Sequence, residues 1–376
     1  MKVALVHDWL TNYGGSEKCI EAIHFIFKDA PIYTTVFNPK NMPVNFKDMD
    51  IKTSFIQKLP WAKTKYQNYL PLMPLAFEEF DLSEFDLVIS NSHSCAKGVR
   101  TLPNTLHISY VQTPMRYAWD LYNEYMKQNK SYLSKLIIRP ILSYLRMWDR
   151  LSADRVEHFI CNSYNVQERI RKYYKREAEI IYPPVDTDFF KPSYQDHDGY
   201  FLVISRLVSY KRIDLIIETF NKLNLPLKIV GTGGEFKSLK RKARSNIEFL
   251  GYQPDEKLKE LYANCQAFIF AAEEDFGITP VEAQSAGRPV VAYGFGGTRE
   301  TVIENKTGIF FYEQSIEALA SAVHRLRTMK FNCEEIRNNA LKFDKKIFFK
   351  KFKDFVLNKY EEFKKNKKLE RIYLVT

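Results

Sequence analysis

Five cysteines in 376 residues, Cys19, Cys95, Cys161, Cys265 and Cys333, include no C-x-x-C pair. That scarcity argues against a zinc site or a disulfide framework and suits a reducing cytoplasm, so neither a metal nor a cofactor is expected. No apolar run approaches the roughly 18 residues a spanning helix needs. The best stretch, Leu136 to Trp148, is cut by Arg139, Pro140 and Arg146. The opening apolar run, Val3 to Val6, gives way to His7 and Asp8, too early for a signal-peptide core. Solenoid-period repeats are missing, and the only low-complexity tract is the lysine-rich end. The chain is therefore expected in the cytoplasm, without a membrane span.

What is present is an ordinary globular composition. Hydrophobic residues at 45% and charged residues at 27% exclude wholesale disorder, collagen and coiled coil. The length predicts more than one core, with domains of about 100–200 residues each.

The net charge of +11 is unevenly spread. Residues 126–155 carry a net +5 and residues 340–376 a net +7, which leaves the rest near −1. Both segments interleave basic side chains with apolar ones, among them Leu136, Ile137, Ile141, Tyr144, Leu145 and Trp148 in the first and Ile347, Phe348, Phe349, Phe352 and Phe355 in the second. Such interleaving favours an interfacial helix at an anionic membrane surface over a phosphate-reading arm. Packed helices with solvated basic faces fit either segment alone equally well. Nucleic acid is not expected as a partner, because no recognisable reader motif accompanies the charge.

Short β-branched runs alternate with longer segments of helical period, the pattern of parallel sheets built from strand-helix-strand units. Strands are predicted at 2–7, 32–36, 86–90, 106–110, 157–161 and 179–182, then at 200–205, 226–231, 246–250, 266–270, 289–293 and 308–310. The Pro- and Asp-rich stretch from Tyr182 to Gly199 separates two α/β halves. The expected domains are 1–190, 191–344, and a basic helix over 345–376 that crosses back to the first.

Three clusters have the residue types that chemistry needs. After the strand ending at Phe270 comes Glu273-Glu274-Asp275-Phe276-Gly277-Ile278-Thr279-Pro280-Val281-Glu282. Thr279-x-x-Glu282 reads as a capping box with Pro280 at the first helical position. Glu274 sits in the loop at the C-terminal end of a parallel strand, where open α/β sheets bind ligands. Backbone N–H groups of Gly277, Ile278 and Thr279 suit an anion, and the two carboxylates suit sugar or ribose hydroxyls. In Ser205-Arg206-Leu207-Val208-Ser209-Tyr210-Lys211-Arg212 a strand ends near Arg206 and a helix begins near Lys211. Cations there oppose the helix dipole and carry a cost unless an anion offsets it. Near the N-terminus, Gly14-Gly15 between strand and helix lets a backbone approach a phosphate closely.

These segments resemble family-4 retaining glycosyltransferases of GT-B fold. Glu274 and Glu282 with the intervening Phe276-Gly277-Ile278 are similar to that family's glutamate-x7-glutamate signature. Ser90-Asn91-Ser92-His93 with Lys97-Gly98, Gln112-Thr113-Pro114-Met115-Arg116-Tyr117, Asn162-Ser163 with Arg169, and Tyr182-Pro183-Pro184-Val185-Asp186 extend the likeness over nearly the whole chain. The subgroup resembled builds O-antigen and related surface polysaccharides, commonly with mannosyltransferases.

The resemblance implies two Rossmann-like, doubly wound parallel-sheet domains facing a cleft. It also implies a nucleotide-sugar donor held mainly by the second domain. In that account Arg206 and Lys211 clasp the diphosphate, Glu274 orients the sugar hydroxyls, and Glu282 binds the ribose. Tyr252 borders the base, the Phe276–Thr279 turn lies along the donor, and Gly15 contacts the diphosphate from the other domain. His93, Gln112 and Arg116 fall on the acceptor side. The expected acceptor is a lipid-linked saccharide, and the expected donor is GDP-mannose, with a UDP-sugar as the alternative. Where relatives often carry a histidine before Thr-Pro, this chain has Gln112, which cannot take up a proton. His93 and His107 are the alternatives for that task. A competing class, a non-catalytic nucleotide-sugar or dinucleotide-binding module, lacks the G-x-G-x-x-G fingerprint, since Gly231-Thr232-Gly233-Gly234 has the wrong spacing.

Overall fold

The computed structural model describes residues 1–128, 132–193 and 197–373. Positions 129–131 of the basic 126–155 segment, 194–196 of the expected inter-domain stretch and 374–376 of the lysine-rich end lie outside the described residues. The chain divides into two compact units, one formed by Met1–Tyr182 with Phe348–Thr376, the other by Pro183–Ile347.

The first unit is built on a seven-stranded sheet of order β3-β2-β1-β4-β5-β6-β7. Its strands are β1 (Val3–His7), β2 (Ile32–Thr34), β3 (Ile51–Thr53), β4 (Leu87–Ser92), β5 (Leu106–Val111), β6 (His158–Cys161) and β7 (Ala178–Ile180). The second unit has a six-stranded sheet of order β10-β9-β8-β11-β12-β13. It comprises β8 (Phe201–Ile204), β9 (Leu227–Val230), β10 (Ile247–Gly251), β11 (Ala267–Phe270), β12 (Val290–Tyr293) and β13 (Gly308–Phe311). The paired strands run parallel in both. Both sheets are doubly wound, with the order reversing between β1 and β4 in one and between β8 and β11 in the other.

Every predicted strand is present within a residue or two. Among the described residues the one strand the pattern misses is β3, a three-residue edge strand, Ile51-Lys52-Thr53, with two exposed side chains. An edge strand buries too little to need an apolar run, whereas β11, Ala267-Phe268-Ile269-Phe270, is buried at every position and reads as a continuous hydrophobic stretch.

Side chains alternate across the first sheet. Ala4, Val6 and Val88 face one core with Leu142, Leu145 and Trp148 of the helix Tyr132–Ser152. Leu5, Ile89 and Ile108 face the other core with Phe348, Phe352 and Val356 of the helix Lys345–Tyr373. The two basic segments therefore pack on opposite faces of one sheet. The segment after Tyr182 belongs to the second unit because its polar groups are satisfied there. Val185 N–H donates to Phe343 O (3.1 Å), Lys345 N–H to Val185 O (2.9 Å) and Ser285 Oγ to Phe190 O (2.6 Å).

Candidate functional site

In doubly wound sheets ligands bind beyond the C-terminal strand ends where the strand order reverses. In the second unit those loops follow β8 and β11, and they carry Arg206, Lys211 and Glu274. Lys211 Nζ lies 2.5 Å from Glu274 Oε1, with the two side chains 15% and 20% exposed, so this pair spans the reversal point. A small hollow beside Lys211 is lined by Ser205, Val203, Ile269 and Ala271. Arg206 stands in the same loop, exposed, and donates to the Tyr210 hydroxyl (2.5 Å).

Glycine geometry fixes both loops. Gly231 (φ 131°) and Gly233 lie so close to the Ser205 and Leu207 carbonyls that a Cβ at either would collide with them. Leu207 N–H in turn donates to Thr232 O (2.9 Å). On the other side Gly297 N–H donates to Glu274 O (2.8 Å), and Gly296 adopts φ 72° against the same carbonyl. Sequence reasoning missed these last two glycines. Their signal was the cluster Gly294-Phe295-Gly296-Gly297 directly after β12, at the same sheet edge as Glu274.

Two expectations about this unit need correction. The helix Ile278–Ser285 is capped by Gly277 at φ 87°, not by Thr279. Only glycine adopts that backbone cheaply, so the helix starts early, Thr279 and Pro280 fall inside its first turn, and Glu282 lies beyond reach of the cap. The capping box does not form. Glu282, 5% exposed, instead accepts a hydrogen bond from the buried Tyr262 hydroxyl (2.8 Å). Burial, with the Glu282 carboxylate next in weight, pushes the Tyr262 phenol well above its ordinary range. The cationic cost at the start of the Ile213–Leu223 helix is offset within the protein, by Glu274 for Lys211 and by Asp214 (3.4 Å) for Arg212. No external anion is needed to explain those charges. Phe276, a buried residue, turns its ring inward against Phe343, with centroids 5.4 Å apart. Ile278 and Thr279 are partly exposed. Tyr252, beside Gly251 at φ 65°, is 79% exposed.

In the first unit the reversal point is flanked by the loops after β1 and β4. Gly15 is the first residue of the helix Gly15–Ile26, and Glu17 reaches back to accept from the Gly14 N–H (3.0 Å). Asn91 donates to Ser16 O (2.9 Å) and accepts from Gln112 Nε2 (2.8 Å). Gln112 Oε1 accepts from Asn162 Nδ2 (3.2 Å). A row of amides thus straps the C-terminal ends of β4, β5 and β6, and both ends of the Gln112 amide belong to it. Arg116, partly exposed, offers its backbone carbonyl to Leu121 N–H (2.8 Å). His107 is removed from consideration as a base. It is fully buried, its Nε2 meets Ser90 Oγ at 2.9 Å, and burial lowers its pKa to about 3. His93 is the one of that pair that reaches the surface, with its side chain 23% exposed.

Lys97 and Gly98, which carried part of the resemblance, have a packing role. Lys97, 1% exposed, pairs with buried Asp149 at 2.6 Å and donates to Ser152 Oγ (2.9 Å). A Cβ at Gly98 would collide with the Trp148 indole. Among the described residues no group of three or more His, Cys, Asp or Glu side chains is placed to hold a metal ion. Nor is any helix among them long and apolar enough to cross a membrane.

Residues 184–343 match the family described as Glycosyl transferases group 1, and residues 13–189 match Glycosyltransferase Family 4. An uncharacterised glycosyltransferase of Methanocaldococcus jannaschii is 25% identical over 227 residues, 58% of this chain and 63% of the relative. O-antigen chain mannosyltransferase C of Escherichia coli is 28% identical over 149 residues, 38% of this chain and 39% of the relative. The matches thus span less than two thirds of these relatives' length. Among solved structures, Anabaena HepE in complex with UDP-glucose superposes with a TM-score of 0.69 at 18% identity, over 95% of this chain and all of that one. Two glycosyltransferase family models thus match adjoining stretches of the chain, one on each doubly wound unit, and the fold is that of the GT-B structural neighbours.

Proposed function

We propose that the chain is a retaining, metal-independent hexosyltransferase that moves mannose from GDP-mannose to a lipid-linked saccharide during surface-polysaccharide synthesis. The observation that carries the reading is the Lys211–Glu274 pair at the reversal point of the second sheet. As the bond from sugar to β-phosphate breaks, negative charge grows on the phosphate and positive charge on the sugar. Cations already in place stabilise that state more than the ground state. Lys211 and Arg206 supply the positive charge for the diphosphate, the task a metal would otherwise have. Glu274, released from Lys211 by the phosphate, orients the sugar hydroxyls. Glu282, steadied by Tyr262, takes the ribose hydroxyls, and the first-turn N–H groups of Ile278 and Thr279 lack intrahelical acceptors, which suits them to an anion.

The name of the Escherichia coli relative supports mannose. The UDP-glucose complex of the structural neighbour favours a UDP-sugar as the second reading. A lipid-linked acceptor at the inner face of the membrane is supported by the helix Tyr132–Ser152. Along it Ile137, Tyr144, Met147 and Leu151, each at least 42% exposed, recur at helical spacing. Lys135, Arg139, Arg146 and Arg150 accompany them, and the helix's one acid, Asp149, is buried. That combination suits an anionic lipid surface.

Thermal unfolding with GDP, UDP, GDP-mannose and UDP-glucose tests the donor. Stabilisation by GDP-mannose above the UDP compounds is expected, the reverse order selects the UDP-sugar reading, and no shift with any of the four overturns both. Binding without release or transfer of sugar would make the chain a non-catalytic nucleotide-sugar binder.

A further inference from the structure

The second sheet carries exposed aromatic rings at its strand ends, on the side of the reversal point away from β9 and β10. Tyr312 directly follows β13 and Phe295 lies in the loop after β12, and they are 61% and 41% exposed. Their rings stand edge to face, with centroids 6.3 Å apart and an interplanar angle of 82°. Tyr293, the last residue of β12, adds a third ring 4.9 Å from that of Phe295. The Tyr312 ring rests so close to the Gly294 backbone that a Cβ there would stand 2.5 Å from it. Large apolar groups gathered in the open in this way mark a contact surface.

The rings share a sheet edge with the charged pair. Phe295 precedes Gly296 and Gly297, which hold the Glu274 backbone, and Tyr293 lies within electrostatic reach of the Glu273 carboxylate and the Arg212 guanidinium. Gln314, two residues past Tyr312, accepts from Arg212 and donates to Ala271 O (2.8 Å). A guanidinium, an amide and the exposed Glu273 carboxylate thus border the aromatic surface.

We propose that Phe295 and Tyr312 form a platform on which a pyranose ring of an oligosaccharide stacks. One face of a pyranose is lined with C–H bonds of slight positive charge, which meet the negative face of an aromatic ring, while its hydroxyls project around the edge to polar partners. An anion would be repelled by the same ring faces, and a folded protein partner needs a far larger patch than two or three side chains. The base of a nucleotide is expected at Tyr252, after β10, and β10 and β13 are opposite edges of the sheet. The platform is therefore distinct from the donor site, lies wholly within the second unit, and holds a saccharide whether or not transfer takes place.

Saturation-transfer difference NMR on the full chain tests this, without nucleotide and with α-linked mannotriose and maltotriose as the probes. The native chain should saturate the ring C–H protons of at least one of them. Tyr312→Ala and Phe295→Ala should each raise its dissociation constant about 2–10-fold, and the double variant should lose the signal, all at native melting temperature. Tyr312→Phe keeps the ring face and should bind as the native chain does, as should Trp61→Ala, which removes an exposed ring of the first unit. No saturation of either probe by the native chain overturns the proposal, and so does native binding by the double variant. Tyr312→Ala should also keep any thermal shift that the native chain shows with sugar nucleotides. Loss of that shift would assign the rings to the donor's own sugar and equally overturn a separate platform. A native chain that shows no nucleotide shift overturns the transferase reading, while the saccharide platform stands or falls on the NMR result.

Discussion

Lys211 and Glu274 lie 2.5 Å apart, with 15% and 20% of their side chains exposed. Both side chains keep some contact with solvent, so removing one partner should cost folding less than it would in a fully buried pair. Lys211→Ala and Glu274→Ala are each expected to lower sugar transfer by at least about 10²–10³-fold, beyond detection in a routine assay, with circular dichroism and melting temperature close to native. Native-like turnover in either variant would refute their assignment. His107 makes the opposite case, a histidine whose burial holds its pKa near 3. The unfolded chain binds a proton at this residue near pH 6.5 and the folded one does not until far lower. Its contribution to stability is thus complete above about pH 6.5 and is lost as the pH falls toward 3. The urea midpoint should drop between pH 7 and 5, and the drop should shrink in His107→Gln.

At the scale of elements, the helix Tyr132–Ser152 is held to the sheet by a charge cluster. Buried Asp149 takes Lys97 (2.6 Å), the Trp119 indole N–H (2.8 Å) and the Tyr174 hydroxyl (3.0 Å). Removing one partner of a buried pair strands the other, so Asp149→Ala should cost about 3–5 kcal/mol in urea unfolding. Gly98→Ala should lose about 1–3 kcal/mol through its clash with Trp148. The outer face of this helix and the C-terminal helix looked alike in composition, and packing separates them. Phe348, Phe352 and Val356 are buried under the sheet, while Ile137 and Met147 are 60% and 58% exposed. The double change Ile137→Ser, Met147→Ser should weaken flotation with vesicles containing anionic lipid and leave the fold unchanged. Equal binding to neutral vesicles would remove the electrostatic part of the account, and unchanged flotation of the variant would remove the helix from it.

At the scale of the whole molecule, a net charge of +11 favours anionic partners. A nucleotide sugar at 100 times its dissociation constant should add about 2.7 kcal/mol to the stability of the unit that binds it. If the Pro183–Ile347 unit is that unit, substitutions at Glu282 or Tyr262 should abolish or weaken the shift, and Gln112→Ala should not. A shift lost in Gln112→Ala and kept in Glu282→Ala would place the donor in the other unit.

The architecture was readable along the chain because parallel strands buried on both faces are mostly apolar, which marks strands such as β11 and hides the polar edge strand β3. Glu274, Glu282, Arg206 and Lys211 stood out as candidates because each lies near a strand end or a helix start, and the resemblance to a known family supplied their expected roles. Pairings across the sheet were not readable. Asp8 and His93 are 85 residues apart, and they meet only because β1 lies beside β4, a neighbour relation that no local periodicity encodes. The same holds for Tyr262 with Glu282 and for Lys97 with Asp149. Local backbone preference and hydrophobic pattern chose the elements, and long-range packing chose which charges face each other.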